Sequence, residues 1–445
     1  MEQAPQNIAG FFARVFASIV SGFKTYIPPG TGMLLLFVSV IGLIVGVVFY
    51  LKNQKSESQI RSDQNTDFGA AYDMLAQGRK GLGDYLALQD VRQSQSNWVL
   101  FNFAPLTVSD AGYLGPGTDG LYDTQAIRRA LDMGFRGFSF NIDYYSGAPK
   151  DQNLFVGPGE PCLLHRDDQG VIRSRNCGRI DEMMTALAQQ AFSRSLPNGS
   201  DPLIVMLNFK NVPDRVKNQG EYITFLKRVS EKIQPLAPTF LDRLGETAFA
   251  GMSNPSLLFT QNFQALQNKT IIFTNINTDV FTQESTRNTP MAQNLRHWIH
   301  AQIFSLSSDT LPNDQVTEIQ PKGTLMSTGM QDAMYFLNTP PDKIQDAQLK
   351  TNNVYTVVNP PEANKNLPLS DIETLMNKYG VQIIPFNLFV TPQETEAYFK
   401  YWGPYSWRLK PKNLQYVVVR AEPPKPISPR ANANGGNVSP PALHF

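Results

Sequence analysis

The chain has 445 residues, a length that one large α/β barrel can accommodate, so length alone does not require several domains. Its 39 basic and 38 acidic residues nearly balance, and charged residues make up only 17% of the chain, which leaves a nucleic-acid-binding role without electrostatic support. Cysteine occurs only at Cys162 and Cys177, which excludes a disulfide framework and requires a hydrophobic core. Spacing alone does not establish whether these two thiols are bonded.

The N-terminal region is typical of a membrane anchor. Residues 1–32 carry apolar side chains at three- to four-residue steps, among them Phe12, Phe16 and Ile19, and predict an amphipathic helix at the membrane interface. Residues 33–51 contain no charge and as a helix would span about 28 Å, which matches a hydrocarbon core of about 30 Å. A cleaved signal peptide is the alternative, but no small-residue cleavage site follows the run. We therefore expect a retained transmembrane helix and a single-pass membrane protein.

Two features bear on the assembly and sidedness of this anchor. Gly42 and Gly46 form a GxxxG spacing, which lets two helices approach closely and suggests a homodimer through this face. The basic residues on the two sides of the span differ too little in number to assign sidedness. Sequons begin at Asn198, Asn268 and Asn437 and would suit an extracytoplasmic domain, but triplets this short also arise by chance.

The remainder of the chain divides by composition into three regions. Residues 52–94 combine a polar linker with a helical segment, and residues 95–421 form the large folded domain. Residues 422–445 are rich in Pro, Ala, Asn and Gly and offer little apolar surface, so this tail is expected to be disordered.

Short apolar runs alternate with helical patterns in the large domain. Predicted strands lie at residues 97–103, 135–143, 202–209, 270–276, 353–358, 381–389 and 414–420. Predicted helices lie at residues 124–134, 179–192 and 222–233. The alternation predicts parallel strands with helical crossovers, and the number of strands favours a distorted (β/α)8 TIM barrel over an open doubly wound sheet.

Polar side chains stand at the ends of several predicted strands. Ser139, Asn141 and Asp143 share one face of the second strand, Asn208 ends the third, and Asn102 lies in the first. Barrel enzymes build their sites at the C-terminal ends of their strands, so these residues predict a pocket. The alternative is that they are ordinary transitions from strand to loop.

Several motifs, in order, resemble the phosphatidylinositol-specific phospholipase C family. They are GFRGFSFNIDYYSG at 134–147, GEPCLLHRDDQGVIRS at 159–174, DPLIVMLNFKN at 201–211, YGVQIIPFNLFVTP at 379–392 and YSWRLKP at 405–411. The resemblance covers roughly residues 95–275 and 353–412 and implies a distorted (β/α)8 barrel with phosphodiesterase chemistry.

The family divides acid–base chemistry between two histidines, and only one of them has a counterpart here. His165 falls where the second histidine belongs, on a hairpin. Phe103 lies near the place expected for the first, and no histidine occurs from residue 1 to residue 164. The resemblance therefore implies a missing general base. As an isolated residue, His165 could also be a solvated turn residue.

The metal-binding pattern of the family is also absent. Eukaryotic members hold calcium with carboxylates at positions that here are the neutral Ser139, Asn141 and Asn208. Bacterial relatives place an arginine on the second strand, where this chain has Asn141. We therefore expect no metal and no cofactor. Asp143 beside neutral ligands would make only a poor calcium site, which would matter only for an active enzyme.

These features favour a membrane-anchored, phospholipase C-like protein that is catalytically inactive and acts as a ligand-binding or structural module. Its partners would be the lipid bilayer and a phospholipid headgroup or other phosphodiester, with Lys410 as an anion contact by analogy. The alternative is an active phosphodiesterase acting on inositol phospholipids, with Asp143 or Asp110 as base and His165 as acid. A glycerophosphodiester-cleaving enzyme is disfavoured because it also needs paired histidines and metal-binding carboxylates.

Overall fold

A computed structural model describes Gly42 and residues 57–84, 98–114, 120–145, 159–240, 258–276, 278–281, 283–305, 326–359, 365–388 and 392–416. The predicted interfacial helix, the predicted membrane span apart from Gly42, and the Pro-rich tail lie outside these residues. Within the described parts of the chain, no helix is both long enough and apolar enough to cross a membrane. The predicted GxxxG pair is likewise outside, because Gly46 is not among the described residues.

The chain divides into two compact units, Met1–Ala70 and Ala71–Phe445. Helix α1 (Glu57–Ala76) begins in the first unit and ends in the second. The polar linker predicted from residue 52 is therefore helical from Glu57 onward. Gly78, with φ of 70°, follows the helix and allows the chain to turn in the left-handed conformation that glycine adopts without strain.

The second unit is built around a parallel sheet. Its strands and those of two small sheets are β1 (Phe103–Pro105), β2 (Thr107–Val108), β3 (Tyr113–Leu114), β4 (Leu121–Tyr122), β5 (Gly137–Tyr144), β6 (Pro161–Leu163), β7 (Leu203–Asn211), β8 (Thr270–Thr274), β9 (Ile299–Ser305), β10 (Met326–Asp332), β11 (Tyr355–Asn359) and β12 (Trp407–Leu409). The main sheet has the order β11-β10-β9-β8-β7-β5-β2, all parallel, and β6 pairs antiparallel with β5. β1 pairs antiparallel with β12, and β3 with β4.

Helices connect the parallel strands, as the sequence predicts. They are α2 (Thr124–Asp132), α3 (Ile180–Gln190), α4 (Gln219–Ile233), α5 (Pro290–Trp298), α6 (Ala333–Leu337), α7 (Ile344–Asn353), α8 (Leu369–Asn377) and α9 (Pro392–Trp402). The predicted α/β fold with a parallel sheet is thus confirmed. One close approach in the sheet depends on sequence: a Cβ on Gly137 would overlap the Thr107 side chain, which lies opposite it where β2 pairs with β5.

The predicted strand at 97–103 is wrong in its position. Leu100–Asn102 form a 3-10 turn, and the extended residues begin only at Phe103. Of the predicted strand at 414–420, only residues 414–416 are described. They contain no strand, and Lys412–Leu414 form another 3-10 turn.

The segment 381–388 stands between the two edges of the main sheet. Ile383 forms a parallel bridge with Val357 of β11, and Phe386 forms a parallel bridge with Val108 of β2. Pro385 lies between these bridges and cannot donate a backbone hydrogen bond, which explains why the predicted strand at 381–389 forms isolated bridges rather than a ladder.

Side chains that alternate along the strands pack together on one face of the sheet. One buried cluster contains Ile204, Met206, Ile271, Phe273, Ala301, Ile303, Tyr355, Val357, Phe103 and Trp407. Consecutive members on each strand are two residues apart, as expected for one face of a β-strand. The apolar core therefore occupies the N-terminal halves of the strands, and what lines the C-terminal halves determines the site.

Candidate functional site at the C-terminal ends of the strands

The apolar face of the sheet becomes polar toward the C-terminal ends of β5 and β7. Ser139 lies opposite Met206 in the register of these strands, and Asn141 lies opposite Asn208. The Ser139 hydroxyl accepts a hydrogen bond from Asn208 Nδ2 at 2.6 Å. Asn141, Ser139 and Asn208 thus lie together as their pattern in the sequence predicts, on the face that continues the buried core.

The loop after β2 brings Asp110 to the same end of the sheet. The Ser109 amide donates to the Phe386 carbonyl, and the Ala111 amide donates to the Ser139 carbonyl, both at 2.8 Å. Asp110 lies between these two anchors with φ of 46°, in the left-handed region that side chains other than glycine rarely adopt. Its neighbours therefore fix Asp110 in a strained conformation, with the carboxylate buried.

The Asp110 carboxylate holds His165 and Tyr122. Oδ2 accepts a hydrogen bond from His165 Nδ1, and Oδ1 accepts one from the Tyr122 hydroxyl at 2.5 Å. Burial and the Asp110 charge raise the pKa of Tyr122 well above its usual value, so this hydroxyl remains a donor. A carboxylate on one imidazole nitrogen fixes the tautomer and the ring orientation and stabilises the imidazolium.

His165 is not a solvated turn residue. The residue is 2% exposed, and its ring stacks on that of Tyr113 with centroids 4.5 Å apart. The predicted position of His165 on a hairpin is therefore confirmed, and the alternative prediction of a solvated turn residue is wrong. The ring is positioned from one side by stacking and from another by Asp110.

A second carboxylate, Asp143, is paired with Arg166. Arg166 Nε lies 2.7 Å from Asp143 Oδ2, and its Nη2 lies 3.1 Å from Oδ1, a bidentate geometry. Asp143 is buried in β5, whereas the guanidinium is a quarter exposed. A carboxylate neutralised in this way is a poor proton acceptor, because Arg166 stabilises its ionised form.

Lys210 brings a further positive charge to this end of the sheet. It is the extra residue of a β-bulge on β7, where the register with β5 shifts from Ile142–Phe209 to Asp143–Asn211, so strand alternation does not set the direction of its side chain. Surrounding protein lowers the pKa of Lys210, and the charges of Asp110 and Asp143 partly offset this effect, although the residue keeps contact with solvent. The charges of both carboxylates of the site, Asp110 and Asp143, therefore act on the Lys210 ammonium.

His165 and Arg166 both come from the hairpin formed by residues 161–178, which we call the 161–178 hairpin. Leu163 and Gly178 exchange backbone hydrogen bonds of 3.0 and 2.9 Å across it. Cys162 and Cys177 are bonded to each other, with their Cα atoms 5.7 Å apart. The disulfide that the sequence left open therefore closes the hairpin that carries the imidazole.

Asn102 and Lys410 lie away from these residues. Asn102 precedes β1 and binds the backbone of Tyr416 through both side-chain atoms, donating at 2.9 Å and accepting at 2.6 Å. Lys410 Nζ donates to the Thr351 carbonyl at 3.1 Å, just ahead of β11, and burial lowers the pKa of Lys410 to about 7. Both residues therefore lie at the N-terminal ends of the strands, where Asn102 holds Tyr416 and Lys410 holds the residues ahead of β11.

The sequence analysis missed most of the residues that surround His165 and Asp143. Asp110 was considered only as an alternative base, and Tyr113, Tyr122, Arg166 and Lys210 were not singled out. The period-two run of Ile204, Met206 and Asn208 does not predict the direction of Lys210, because β7 bulges between Phe209 and Asn211. The contact of Asp110 with His165 joins positions 55 residues apart and its contact with Tyr122 joins positions 12 apart, and no local pattern predicts them.

The residues at the positions where the resemblance would place calcium ligands do not fit a divalent cation. Ser139 and Asn208 are bonded to each other, and the carboxylate of Asp143 is already paired with Arg166. Calcium requires several oxygen ligands with negative charge to offset its own. Across the portions that the structure describes, no group of three or more His, Cys, Asp or Glu side chains could hold a metal ion.

No protein-family model matches the sequence, and the search of curated proteins also finds no match. Among solved structures, PLC21 of S. officinalis is 14% identical over 73% of this chain and 38% of its own length, with a TM-score of 0.49. A calcium-dependent phosphoinositol-specific phospholipase C from a Gram-negative Pseudomonas sp. is 9% identical over 71% of this chain and 97% of its own, with a TM-score of 0.41. A protein from Silicibacter pomeroyi, assigned as a glycerophosphoryl diester phosphodiesterase, is 10% identical over 70% of this chain and 99% of its own, with a TM-score of 0.36.

The Pseudomonas protein carries the name of the family that the sequence motifs resemble, whereas the Silicibacter pomeroyi protein carries that of the glycerophosphodiester-cleaving enzymes, which the sequence does not favour. In fold, the chain is similar to these structures. It spans less than half the length of PLC21. At identities of 9 to 14% and TM-scores below 0.5, none of these similarities assigns an activity, a ligand or a partner to this chain.

Proposed function

We propose that this chain is a membrane-anchored, phospholipase C-like module that binds a phosphate-bearing headgroup or phosphodiester at the C-terminal ends of its strands without hydrolysing it. The observation that carries the proposal is that both carboxylates available as a general base are already bonded. Asp110 holds His165 and Tyr122, and Asp143 holds Arg166. A single imidazole then stands without the second proton-transfer group that attack by a hydroxyl on a phosphodiester requires.

Positive charge supports binding of an anion at this place. Arg166 presents a planar guanidinium that is suited to phosphate oxygens, Lys210 adds an ammonium, and His165 adds a third nitrogen-bearing group. An anionic ligand would compete with Asp143 for Arg166, because both bind the same donors. The apolar core lies beneath Ser139 and Asn208 and would form the floor of a pocket at this place.

Two structural parts complete the proposal. The segment 381–388, bridged to β11 and β2, would close the sheet into a distorted (β/α)8 barrel. The uncharged run of residues 33–51 would place this barrel beside a bilayer, where a phospholipid headgroup is available.

The test combines a turnover assay with a binding assay on the full-length protein in detergent micelles. We expect no product from inositol phospholipids or from glycerophosphodiesters, with or without calcium. We expect glycerophosphoinositol to bind, with the Arg166→Gln and Lys210→Met variants each weakening affinity about tenfold or more, the scale of one charge-assisted hydrogen bond. Lys217→Met is the matched control, since its side chain is exposed beyond the end of β7, and it should leave affinity unchanged.

A second candidate function, an active phosphodiesterase, is favoured by the contact between Asp110 and His165. A carboxylate-oriented imidazole is able to donate a proton to a leaving oxygen. Turnover that disappears in His165→Ala and survives in Lys217→Met would establish this function and reject the inactive module. Absence of both turnover and binding would instead leave a structural role.

A further inference from the structure

The site is assembled from two parts of the chain with opposite charge. Both carboxylates, Asp110 and Asp143, belong to the sheet and its connecting loop, whereas His165 and Arg166 are neighbours on the 161–178 hairpin. The imidazole and the guanidinium therefore reach their carboxylates only if this one hairpin lies in the correct place. Anything that fixes the hairpin fixes both contacts together.

The disulfide lies at the base of this hairpin, next to the residues of the site. Cys162 lies opposite Asp143 in the pairing of β6 with β5, three residues before His165. Its partner Cys177 is on the returning strand of the hairpin, beside Gly178. The cystine thus joins the strand that pairs with the sheet to the strand that returns from the imidazole.

Hydrogen bonds also cross the hairpin. Beyond the Leu163–Gly178 pair, the Arg173 amide donates to the His165 carbonyl at 2.8 Å, the His165 amide donates to Ser174 Oγ at 3.3 Å, and Arg166 forms an antiparallel bridge with Ile172. Asn176 bonds to the backbone of Tyr122 at 2.8 and 3.0 Å and holds the returning strand to the sheet side of the site. Only the disulfide connects these two strands covalently.

We infer that the Cys162–Cys177 disulfide is a positioning element of the site, which keeps His165 on Asp110 and Arg166 on Asp143, so that the site is formed in the oxidised protein and lost on reduction. Cys162 is buried, whereas Cys177 is partly exposed, so a thiol reagent would approach the disulfide from the side of Cys177. Reduction by an external dithiol transfers two electrons and two protons, breaks the single S–S bond and leaves two thiols. The dithiol closes to its own disulfide.

The direct test is the proton resonance of His165 Nδ1 in full-length protein labelled with ¹⁵N-histidine. A proton shared with a carboxylate gives a strongly deshielded signal, and the loss of this signal in His165→Gln assigns it. We expect the signal in the oxidised protein, its loss after treatment with dithiothreitol when two thiols per chain are titrated, and its return on reoxidation. The Cys162→Ser/Cys177→Ser variant should resemble the reduced protein.

A merely structural disulfide would give a different pattern. Leu266→Ala, which removes a buried side chain from the core far from the hairpin, should lower stability and keep the signal. An unchanged signal with two free thiols would overturn the inference, and so would loss of the whole fold on reduction, followed by far-ultraviolet circular dichroism. If the double variant does not fold, reversible reduction of the natural protein decides the question.

Inorganic phosphate supplies a second readout, and only this one rests on the proposed function. The oxidised protein should bind phosphate, and reduction should abolish the binding together with the His165 signal. A redox-sensitive signal without any phosphate binding would uphold the positioning role and reject the proposed ligand. Phosphate binding that is equal in both redox states would overturn the inference and leave the proposed function standing.

Discussion

Asp110 has a strained backbone, and both oxygens of its carboxylate accept hydrogen bonds. Substitutions at this position can therefore test the shape of the side chain and its charge separately. Asp110→Asn keeps the shape, but its amide nitrogen must face one of two donors, Tyr122 Oη or His165 Nδ1. We expect the free energy of unfolding to fall by about 1.5–3 kcal/mol, the range for a hydrogen bond to a charged group. Urea denaturation at pH 7 measures it.

Asp110→Gly provides the comparison for this prediction. Glycine adopts a φ of 46° without strain, so this variant regains backbone stability while losing the carboxylate. Glycerophosphoinositol affinity should fall in both variants, because neither holds His165 in place. Equal affinity in Asp110→Gly and the natural protein would contradict the role assigned to the carboxylate.

Lys410 makes stability depend on pH in a direction that can be worked out. Burial lowers its pKa from 10.5 to about 7, so the unfolded chain binds the proton more tightly than the folded protein does. The resulting penalty on the folded state is fully present below pH 7 and disappears as pH rises toward 10.5. Lys410→Met removes the group that causes it.

The free energy of unfolding of Lys410→Met relative to the natural protein should therefore decrease as pH rises from 7 to 10.5. Denaturant titrations at pH 7.0 and 9.5 measure the two differences. A difference that does not change with pH would show that Lys410 stays charged in the folded protein, as it does in the unfolded chain, and that burial does not lower its pKa. Lys217→Met, with an exposed ammonium, should show no such pH dependence.

At the scale of elements, the pairing of β2 with β5 depends on the absence of a side chain at Gly137. A Cβ there would overlap Thr107, which must shift to admit it. Gly137→Ala should lower the free energy of unfolding by about 1–3 kcal/mol, the usual cost of overpacking a tight contact. Gly220→Ala in α4 is the matched control, because nothing lies within 4 Å of the added Cβ and alanine favours the helix. Thermal unfolding of the two variants compares them.

Strands with strong apolar patterns could be predicted from the sequence, and others could not. β5, β7, β8 and β11 appear close to their predicted positions, since each is buried and rich in Ile, Val, Leu or Phe. β10 contains Ser, Thr, Gly and Gln in place of an apolar run, and β9 alternates Ile299, Ala301 and Ile303 with the polar His300 and Gln302, and no strand was predicted in either place. Pairing with their neighbours in the sheet decides their conformation, and a single sequence does not reveal those neighbours.

The position of the first strand also decided which site residues could be found. The sequence predicts that this strand ends near Phe103, and that prediction placed Asn102 in the pocket. In the structure the extended chain continues to Val108. The loop after Val108 contains Asp110. Asn102 and Lys410 consequently lie at the opposite ends of the strands from His165. Resemblance located His165 itself, but its partners depend on contacts across the fold.

At the scale of the whole molecule, the residues after α1 attach the chain to the N-terminal end of the sheet. The Leu82 amide donates to both oxygens of Asp201, at 3.1 and 3.0 Å. Arg79 donates to the Gly403 carbonyl at 2.7 Å and lies over the Phe399 ring at 4.3 Å. These contacts all lie within the unit that begins at Ala71.

We therefore expect a fragment of residues 71–445 to fold, and a fragment of residues 85–445 to be less stable by about 3 kcal/mol or more. The estimate combines two hydrogen bonds of about 1 kcal/mol each with burial of one leucine at about 1.5–3 kcal/mol. Denaturant unfolding of both fragments gives the comparison. Equal stability of the two would mean that the segment from Tyr72 to Asp84 does not contribute to the folded unit.

The segment 381–388 spans the gap between the two sheet edges by isolated bridges interrupted at Pro385. Local opening begins where backbone pairing is sparse, so amide hydrogen exchange should be fastest along this line of the sheet. Ser109 donates its amide across it to Phe386, and Ser109 is the residue just before Asp110. Local opening of the sheet along this line would therefore move the Asp110 loop away from His165. The exchange rate of the Ser109 amide would then report how often the His165 imidazole loses its contact with the Asp110 carboxylate.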